Sequence, residues 1–237
     1  MIDLHCHILP GIDDGAENVK ESISMARVAA KDGITHIVAT PHIRETLHPA
    51  DFLKKCVRNL NQALKKHHVP VEILCGADVY AMLPIQQMMA YSINNSRYIL
   101  IEFPYTHIPA NALDILFNLK LEGLIPIITH PERNPSVIHN PEKLFSLLTG
   151  DVYAQVTADS LTGNFGIQIQ ECAFFLLKKG AVHFIASDAH SALIRSPLLS
   201  EAARLAQKIV GKEKARMLVE DNPLAVISGK QIDLSSL

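Results

Sequence analysis

Short apolar segments alternate with longer amphipathic segments along the chain. The short segments are rich in β-branched residues and bounded by Gly, Pro or charge, which predicts strands at 2–7, 34–40, 71–79, 97–103, 125–130, 151–157 and 182–187. Helical spacing of apolar residues predicts helices at 17–32, 51–67, 109–122, 141–149, 166–179, 197–210 and 212–219. In the first helix, Val19, Ile23 and Ala26 recur on one face, and Gly33 ends the helix.

The repeated order of strand and helix predicts an α/β protein. The runs THIVAT, RYILIEF and LIPIIT are almost continuously apolar or β-branched, as is typical of parallel strands covered on both faces. We therefore expect a single domain over residues 1–237, built as a closed or nearly closed βα barrel. An open doubly wound sheet is the alternative, because periodicity does not determine closure. No G-x-G-x-x-G or Walker sequence follows a strand, which argues against the nucleotide-binding forms of that sheet.

Composition and charge narrow the class of protein. Of 237 residues, 48% are hydrophobic, and the formal net charge is −2, so there is no general attraction to nucleic acid or anionic membranes. No stretch approaches the roughly 18 consecutive apolar residues of a membrane span, and no export signal is visible. Four cysteines without a CxxC pair indicate neither a disulfide scaffold nor a zinc ribbon. We expect a cytoplasmic protein without a nucleic-acid partner or membrane insertion.

Histidines and carboxylates are concentrated at or just after the carboxyl ends of the predicted strands. His5 and His7 lie two positions apart on the first strand, so both imidazoles point to one face. The other members of this set are Asp14 (with Asp13 beside it), His42, Asp78, Glu102, His130, Asp188 and His190. Active sites of βα barrels are built at this edge, from the loops of different strands.

The residue types at this edge predict metal-dependent hydrolysis. His, Asp and Glu without Cys thiolates suit Zn, Mn or Fe, and several carboxylates favour more than one ion because a carboxylate can bridge two. Arg133 and Arg195 closely follow two of the histidines and are candidate phosphate-binding residues, since a guanidinium binds phosphate through two parallel hydrogen bonds. The alternative for Arg133 is an ion pair with Glu132 or a nearby loop carboxylate.

The motifs MIDLHCHILPGIDDGA, ATPHI, GADVY, IEFP, THPERN and SDAH occur in this order over residues 1 to 195. Together they resemble the PHP (polymerase and histidinol phosphatase) superfamily, and more narrowly the bacterial PHP-type tyrosine phosphatases of capsule and exopolysaccharide operons. The resemblance implies a distorted barrel of about seven βα units with a metal site at the carboxyl ends of the strands. It also implies three divalent ions, usually manganese, with iron or zinc as alternatives. The implied substrate is a tyrosine-phosphorylated protein, such as the tail of a bacterial tyrosine autokinase.

The resemblance also implies which residues hold each ion. It assigns His5, His7 and Asp188 to the first ion, and Asp78 bridges this ion to the second. Glu102 and His130 complete the ligands of the second ion. Asp14, His42 and His190 hold the third. Most relatives have Glu where this chain has Asp78. Arg133 and Arg195 would bind the phosphate, and His42 or His190 would lie near the leaving oxygen.

Several residues have simpler interpretations. Structural or surface roles are expected for His36, His48, His67, His68, His107, His139 and His183. Asp13 is either a cap for the following helix or the ligand in place of Asp14. Cys6 alternates away from its histidine neighbours and is expected to be a packed core thiol.

Other functions remain open. Thiolate phosphatases need an Arg six residues after the Cys, and none of the four cysteines has one. Carbon–nitrogen hydrolases also start with HxH but use a lysine at a strand end, and no predicted strand ends in Lys. A small-molecule phosphomonoesterase such as histidinol phosphatase is the first alternative. A non-catalytic PHP module that binds a protein is the second, although the ligand set is complete apart from Asp78.

Overall fold

The computed structural model describes residues 1–44 and 47–233. Its strands are β1 (Ile2–Cys6), β2 (His36–Ala39), β3 (His42–Ile43), β4 (Glu72–Cys75), β5 (Asp78–Tyr80), β6 (Tyr98–Glu102), β7 (Ile125–Thr129), β8 (Tyr153–Thr157) and β9 (Phe184–Ala186). All pairings between them are parallel. The prediction of an α/β protein with parallel strands is therefore confirmed.

The strands form two sheets in these residues, one in the order β1-β2-β4 and one in the order β3-β5-β6-β7-β8-β9. The pairing of β2 with β4 continues in the same register in the pairing of β3 with β5. Ala39 pairs with Cys75 and His42 pairs with Asp78, so the two residues of each pair are separated by the same number of positions along the chain. Pro41 lies between these pairs and has no N–H to donate, so the ladder is interrupted there. The predicted strand 71–79 is consequently divided into β4 and β5, and β3 lies outside the predicted strand 34–40.

The first and last strands meet at their carboxyl ends. Cys6 and Ala189 form an isolated parallel bridge. The backbone N–H of His7 donates to the carbonyl of Ala189 at 2.8 Å, and that of Asp188 donates to the carbonyl of His5 at 2.8 Å. These bonds bring the histidines of the amino terminus beside the carboxylate that follows β9.

Helices connect the strands. They are α1 (Val19–Lys31), α2 (Ala50–Lys66), α3 (Ile85–Met88), α4 (Ala112–Leu121), α5 (Pro135–His139), α6 (Glu142–Phe145), α7 (Ala158–Thr162), α8 (Ile167–Lys178), α9 (Ser200–Val210), α10 (Lys212–Arg216) and α11 (Asn222–Ile227). Short 3-10 turns span Met89–Tyr91, Ile93–Asn95 and Pro131–Arg133, and a π-helical segment spans Met217–Asp221. The side chain of Asn18 caps α1 by accepting from the backbone N–H groups of Lys20 and Glu21, so the expected alternative of Asp13 as the cap is wrong.

Alternate residues of the strands belong to two separate buried apolar clusters. The inner cluster contains, among others, Leu4, Leu100, Ile127, Tyr153 and Phe184. The larger outer cluster lies between the sheets and the helices. Because side chains alternate across a strand, one face of each strand contributes to the inner cluster and the other packs against helices.

Candidate metal centre

Two carboxylates of the site continue the inner faces of their strands. On β6, Tyr98 and Leu100 belong to the inner apolar cluster, and Glu102 follows two residues later on the same face. Phe184 and Ala186 precede Asp188 in the same way. The inner cluster thus forms an apolar floor, and the charged groups lie above it at the carboxyl ends of the strands.

Two histidines and one carboxylate from opposite ends of the chain form the first group. Nε2 of His5 lies 3.4 Å from Oδ1 of Asp188, and Nε2 of His7 lies 3.2 Å from the same oxygen. The two Nε2 atoms are 3.2 Å apart, and all three side chains are buried. A single ion can be reached by all three.

Asp78 is the centre of the second group. Its Oδ2 lies 3.4 Å from Nδ1 of His42, 3.8 Å from Nε2 of His130 and 3.7 Å from Nε2 of His5. Glu102 approaches both His42 and His130, at 3.5 and 3.6 Å. Asp78 and His42 are the first residues of β5 and β3, where the sequence pattern placed each at the end of a strand. The interruption at Pro41 accounts for this difference.

Asp14 defines the open side of the site. Its Oδ1 lies 3.7 Å from Nε2 of His42 and 3.5 Å from Nε2 of His190, and its side chain is 68% exposed. The neighbouring Asp13 has a different environment. Its Oδ2 lies 2.6 Å from Nδ1 of His7 and accepts from the backbone N–H of His42 at 3.0 Å. Asp13 therefore supports two histidines, whereas Asp14 faces the opening.

Gly15 explains why the DDG sequence ends in glycine. A Cβ at this position would lie 2.0 Å from the carbonyl oxygen of His7. The next residue, Ala16, donates its N–H to that same carbonyl at 3.0 Å. The loop carrying Asp13 and Asp14 can pack this closely on the first strand only without a side chain at residue 15.

The donor set fits divalent cations. Among the described residues, three overlapping sets place their ligand atoms within 4.8 Å of one another: His7, Asp14, His42 and His190; His5, His7 and Asp188; and His42, Asp78 and Glu102. Nδ1 of His42 and Oδ2 of Asp78 are buried and lack a hydrogen-bond partner within this part of the chain. Such atoms are costly to bury unless something else binds them, and a cation would satisfy both.

The pKa values show how strongly these groups interact. Burial alone would raise the pKa of Asp78 and Asp188, but the neighbouring histidines hold both well below the usual range. Burial opposes a charge on His7, yet hydrogen bonds with Asp13 and Asp188 raise its pKa to about 9. Burial, reinforced by the charge of His7, lowers the pKa of His190 to about 3. Asp78 and Asp188 are thus ionised at neutral pH, as metal ligands must be.

Two supporting residues fix ring orientations. Nδ1 of His5 hydrogen-bonds Oε1 of Gln155 at 2.9 Å, and Nδ1 of His7 bonds Asp13. Each ring therefore turns its Nε2 towards the cluster. Sequence reasoning missed Gln155, because a single glutamine in a predicted strand carries no local signal.

Arginines surround the carboxylates. Nη1 of Arg133 donates to Oδ2 of Asp188 at 2.5 Å, and Nη2 of Arg195 donates to the same oxygen at 2.6 Å. Arg133 thus forms the alternative ion pair with a loop carboxylate, since Asp188 follows β9. Its partner is not Glu132, whose Oε1 accepts from the hydroxyl of Ser160 and the backbone N–H of Thr157. Sequence reasoning missed Arg44. Its Nη2 donates to Oε1 of Glu102 at 2.5 Å, and its Nε donates to Oε2 of the same carboxylate at 2.8 Å. Its position two residues after His42 was the available signal.

Two residues expected to have structural roles have them. His183 is buried next to Tyr153, and its Nδ1 accepts from the backbone N–H of Ala154. Cys6 is fully buried, and burial raises its thiol pKa, which confirms a packed thiol rather than a nucleophile. No helix in 1–44 and 47–233 is long and apolar enough to cross a membrane.

The fold and the cluster define a parallel α/β protein with a histidine–carboxylate centre of candidate metal ligands. A family model described as capsular polysaccharide synthesis, CpsB/CapC, matches residues 1–228. The chain belongs to the CpsB/CapC family. The resemblance inferred from the sequence motifs is thereby confirmed.

Individual relatives agree with this assignment. The chain is 38% identical to tyrosine-protein phosphatase YwqE of Bacillus subtilis, over 94% of this chain and 91% of YwqE. It is 35% identical to the putative tyrosine-protein phosphatase CapC of Staphylococcus aureus, over 85% of this chain and 81% of CapC. A solved structure also matches, from a report on YwqE of Bacillus subtilis and CpsB of Streptococcus pneumoniae as metal-dependent tyrosine phosphatases. It superposes on this chain with a TM-score of 0.93 at 38% identity, and the superposition covers 98% of this chain and 96% of that one.

More distant structures share the fold alone. An organophosphorus hydrolase from Deinococcus radiodurans superposes with a TM-score of 0.57 at 12% identity, covering 95% of this chain and 91% of that one.

Proposed function

We propose that this protein is a metal-dependent phosphatase that hydrolyses phosphotyrosine on a protein. The observation that carries the proposal is the convergence of histidines and ionised carboxylates with Arg133 and Arg195 on a single carboxylate, Asp188. Such a site combines cation ligands with phosphate-binding groups. The tyrosine-phosphatase relatives support phosphotyrosine as the substrate.

We assign the ions to the three groups described above. His5, His7 and Asp188, with Asp78, would hold the first ion. Glu102 and His130 would share Asp78 with the first group and hold the second ion, and Asp14, His42 and His190 would hold the third. We propose manganese, with iron or zinc as alternatives. Bound divalent ions would acidify a water molecule and neutralise charge on the phosphate.

The arginines would bind the phosphate ester. Nε of Arg195 is buried without a hydrogen-bond partner among residues 1–44 and 47–233, so one donor of this guanidinium is still available. Arg133 uses Nη1 for Asp188 and has further donors. Two guanidinium groups would balance the negative charge that develops on the transferred phosphoryl group.

His42 or His190 would lie near the leaving oxygen. Both are partly accessible, and both approach the exposed Asp14 at the mouth of the site. A phenolate is a stable leaving group, and both histidines are also assigned to the third ion, so the reaction would need no proton from either ring.

The accessibility of the site favours a peptide substrate over an enclosed metabolite. Asp14 is exposed, and the loop after His190 projects Leu193 and Ile194 into solvent at 90% and 89% exposure. A tyrosine on a flexible protein segment can enter such an open site. In view of the family description, we propose the tail of a bacterial tyrosine kinase of capsule synthesis as the substrate. A cytoplasmic location remains a prediction.

We also propose that residues 1–237 are one domain and that the strands close into a distorted barrel. Counting β2 with β3 and β4 with β5 as interrupted strands leaves seven, as the strand pattern predicts. The bridge between Cys6 and Ala189 supports closure, because it links the first strand to the segment after the last.

Metal analysis combined with substrate comparison tests the function. Purified protein is assayed on a phosphotyrosine peptide, the matched phosphoserine peptide and histidinol phosphate, before and after chelation. We expect the phosphotyrosine peptide to be preferred, chelation to abolish hydrolysis and Mn²⁺ to restore it. Preference for histidinol phosphate would favour the small-molecule alternative. Full activity of metal-free protein would contradict the mechanism, and inactivity on all three substrates would favour the non-catalytic module.

A further inference from the structure

A glycine-bounded turn between α7 and α8 presents an aromatic ring to the site. Gly163 and Gly166 adopt φ values of +87° and +93°, and the N–H of Gly166 donates to the carbonyl of Gly163 at 3.0 Å. The side chain of Asn164 donates to Asp159 at 2.7 Å. These bonds and the two left-handed glycines fix the direction of Phe165, which is half-buried.

The ring of Phe165 contacts both arginines of the site. Cζ of Arg133 lies 4.8 Å from the ring centroid, and Cζ of Arg195 lies 5.8 Å from it. The two arginines come from separate segments, one after β7 and one after β9. The face of an aromatic ring attracts a guanidinium electrostatically and also restrains its plane.

Such a restraint is needed because the two arginines share one anchor. Both guanidinium groups donate to Oδ2 of Asp188, and Nη2 of Arg195 also donates to the backbone carbonyl of Asp188 at 2.9 Å. Each arginine is thus held by Asp188 through one terminal nitrogen, and these bonds alone leave its plane free to turn about that nitrogen. Binding phosphate through two parallel hydrogen bonds requires the guanidinium plane to be correctly oriented.

We propose that Phe165 is a positioning residue that orients Arg133 and Arg195 for the phosphate group of the substrate. This inference rests on the proposed phosphatase function. The contacts that carry this role are those of the ring with the two guanidinium groups. Its effect on phosphate therefore passes through the two arginines.

The first test is Phe165→Leu in metal-loaded protein, with inorganic phosphate as the probe. The substitution removes the aromatic face but keeps an apolar side chain. We expect phosphate to bind about 3- to 30-fold more weakly by calorimetry. The KM for a phosphotyrosine peptide should rise more than kcat falls, and metal content should not change. Phe165→Tyr should stay within about twofold of wild type, because it restores the ring.

Phe175→Leu is the matched control. Phe175 lies on α8, where its ring contacts Lys179 at 5.7 Å, so the same substitution removes a comparable contact away from the arginines. We expect its phosphate affinity to equal that of wild type. Thermal unfolding of every variant identifies loss of folding, and Phe165→Met repeats the test if the leucine variant unfolds early.

The decisive measurement places Phe165→Leu in an Arg133→Ala/Arg195→Ala background. If the ring acts through the arginines, the substitution should weaken phosphate binding no further there. An equal loss in both backgrounds, or a tyrosine variant as weak as the leucine variant, would overturn the inference. Phosphate binding does not depend on the natural substrate. Failure of wild-type protein to hydrolyse phosphotyrosine would therefore count against the proposed function, while the phosphate comparison still decides the role of Phe165.

Discussion

Asp3 and Ser187 join the two strands that carry the first group of ligands. Oδ2 of Asp3 accepts from the hydroxyl of Ser187 at 2.5 Å, and Oδ1 accepts from its backbone N–H at 2.9 Å. Both residues are buried. Since His5 follows Asp3 by two positions and Asp188 follows Ser187 directly, this contact sets the distance between two proposed ligands.

Removing the Asp3 carboxylate should therefore destabilise the fold and the centre together. Asp3→Ala leaves the buried N–H of Ser187 without its acceptor and leaves the hydroxyl only the carbonyl of His5, at 3.3 Å. We expect the free energy of unfolding to fall by about 2–4 kcal/mol. Asp3→Asn keeps one acceptor oxygen and should lose less. Denaturant titration and metal content measure the two effects. Equal stability of Asp3→Ala and wild type would show that water replaces the carboxylate.

Arg195 should be separable from the metal ligands. His7→Ala should lower both metal content and turnover, whereas Arg195→Ala should retain its metal. Loss of a hydrogen bond to a charged group, about 1.5–3 kcal/mol, corresponds to a decrease in kcat/KM of about 10- to 150-fold. Arg195→Lys should recover only part of this, because an ammonium cannot form two parallel bonds.

The Arg195 comparison requires equal metal occupancy, checked by elemental analysis. Unchanged kcat/KM and phosphate affinity in Arg195→Ala would remove this side chain from the mechanism.

Asp78 is the residue at which this chain departs from the pattern that its sequence resemblance implies. Its Oδ1 accepts from the hydroxyl of Thr129 at 3.1 Å, and its Oδ2 faces three histidines. We expect Asp78→Glu to keep much more activity than Asp78→Ala, because it preserves the bridging carboxylate. Rates and bound metal per chain are the measurements. Equal inactivity of both variants would mean that the surroundings have adapted to the shorter side chain.

Stability at mildly acidic pH should depend on His183. Burial lowers its pKa from 6.5 to about 4, so the unfolded chain takes up a proton before the folded protein does. Stability from the neutral ring is therefore complete above pH 6.5 and decreases as pH falls towards 4, by about 2 kcal/mol between pH 8 and pH 5.

His183→Asn keeps an acceptor for the backbone N–H of Ala154 but does not titrate, so this part of the pH dependence should disappear. Denaturant unfolding of both proteins at pH 8 and pH 5 measures the difference. If the free energy of unfolding changed equally between pH 8 and pH 5 in both proteins, the acid sensitivity would belong to other titratable groups.

Regular periodicity explains which parts of the fold could be predicted from sequence. Long helices such as α1, α2 and α8 repeat their apolar residues over several turns, and each was predicted to within a few residues. Short helices such as α3 and α7 lack enough turns to produce a pattern and were missed. The division of the strand 71–79 depends on Pro41 of the neighbouring strand, which the periodicity of 71–79 itself does not contain.

The site shows the same contrast between local and distant information. Glu102 and Asp188 stand out because each is a charge at the end of an apolar run. Gln155 and Phe165 have no such local contrast, and their roles depend on partners far away in the chain. The different roles of Asp13 and Asp14 could be assigned only from the structure, because neighbouring carboxylates are distinguished only by the residues that pack around them.

The bridge between Cys6 and Ala189 has a consequence for the biosynthesis of this protein. The two residues are 183 positions apart, so the amino-terminal histidines leave the ribosome long before the carboxylate they face. Without Asp188, a nascent chain has only His5 and His7 of the first group. Loading of the proposed first ion would therefore accompany or follow the docking of the last strand, which would make this ion a late checkpoint on completed folding.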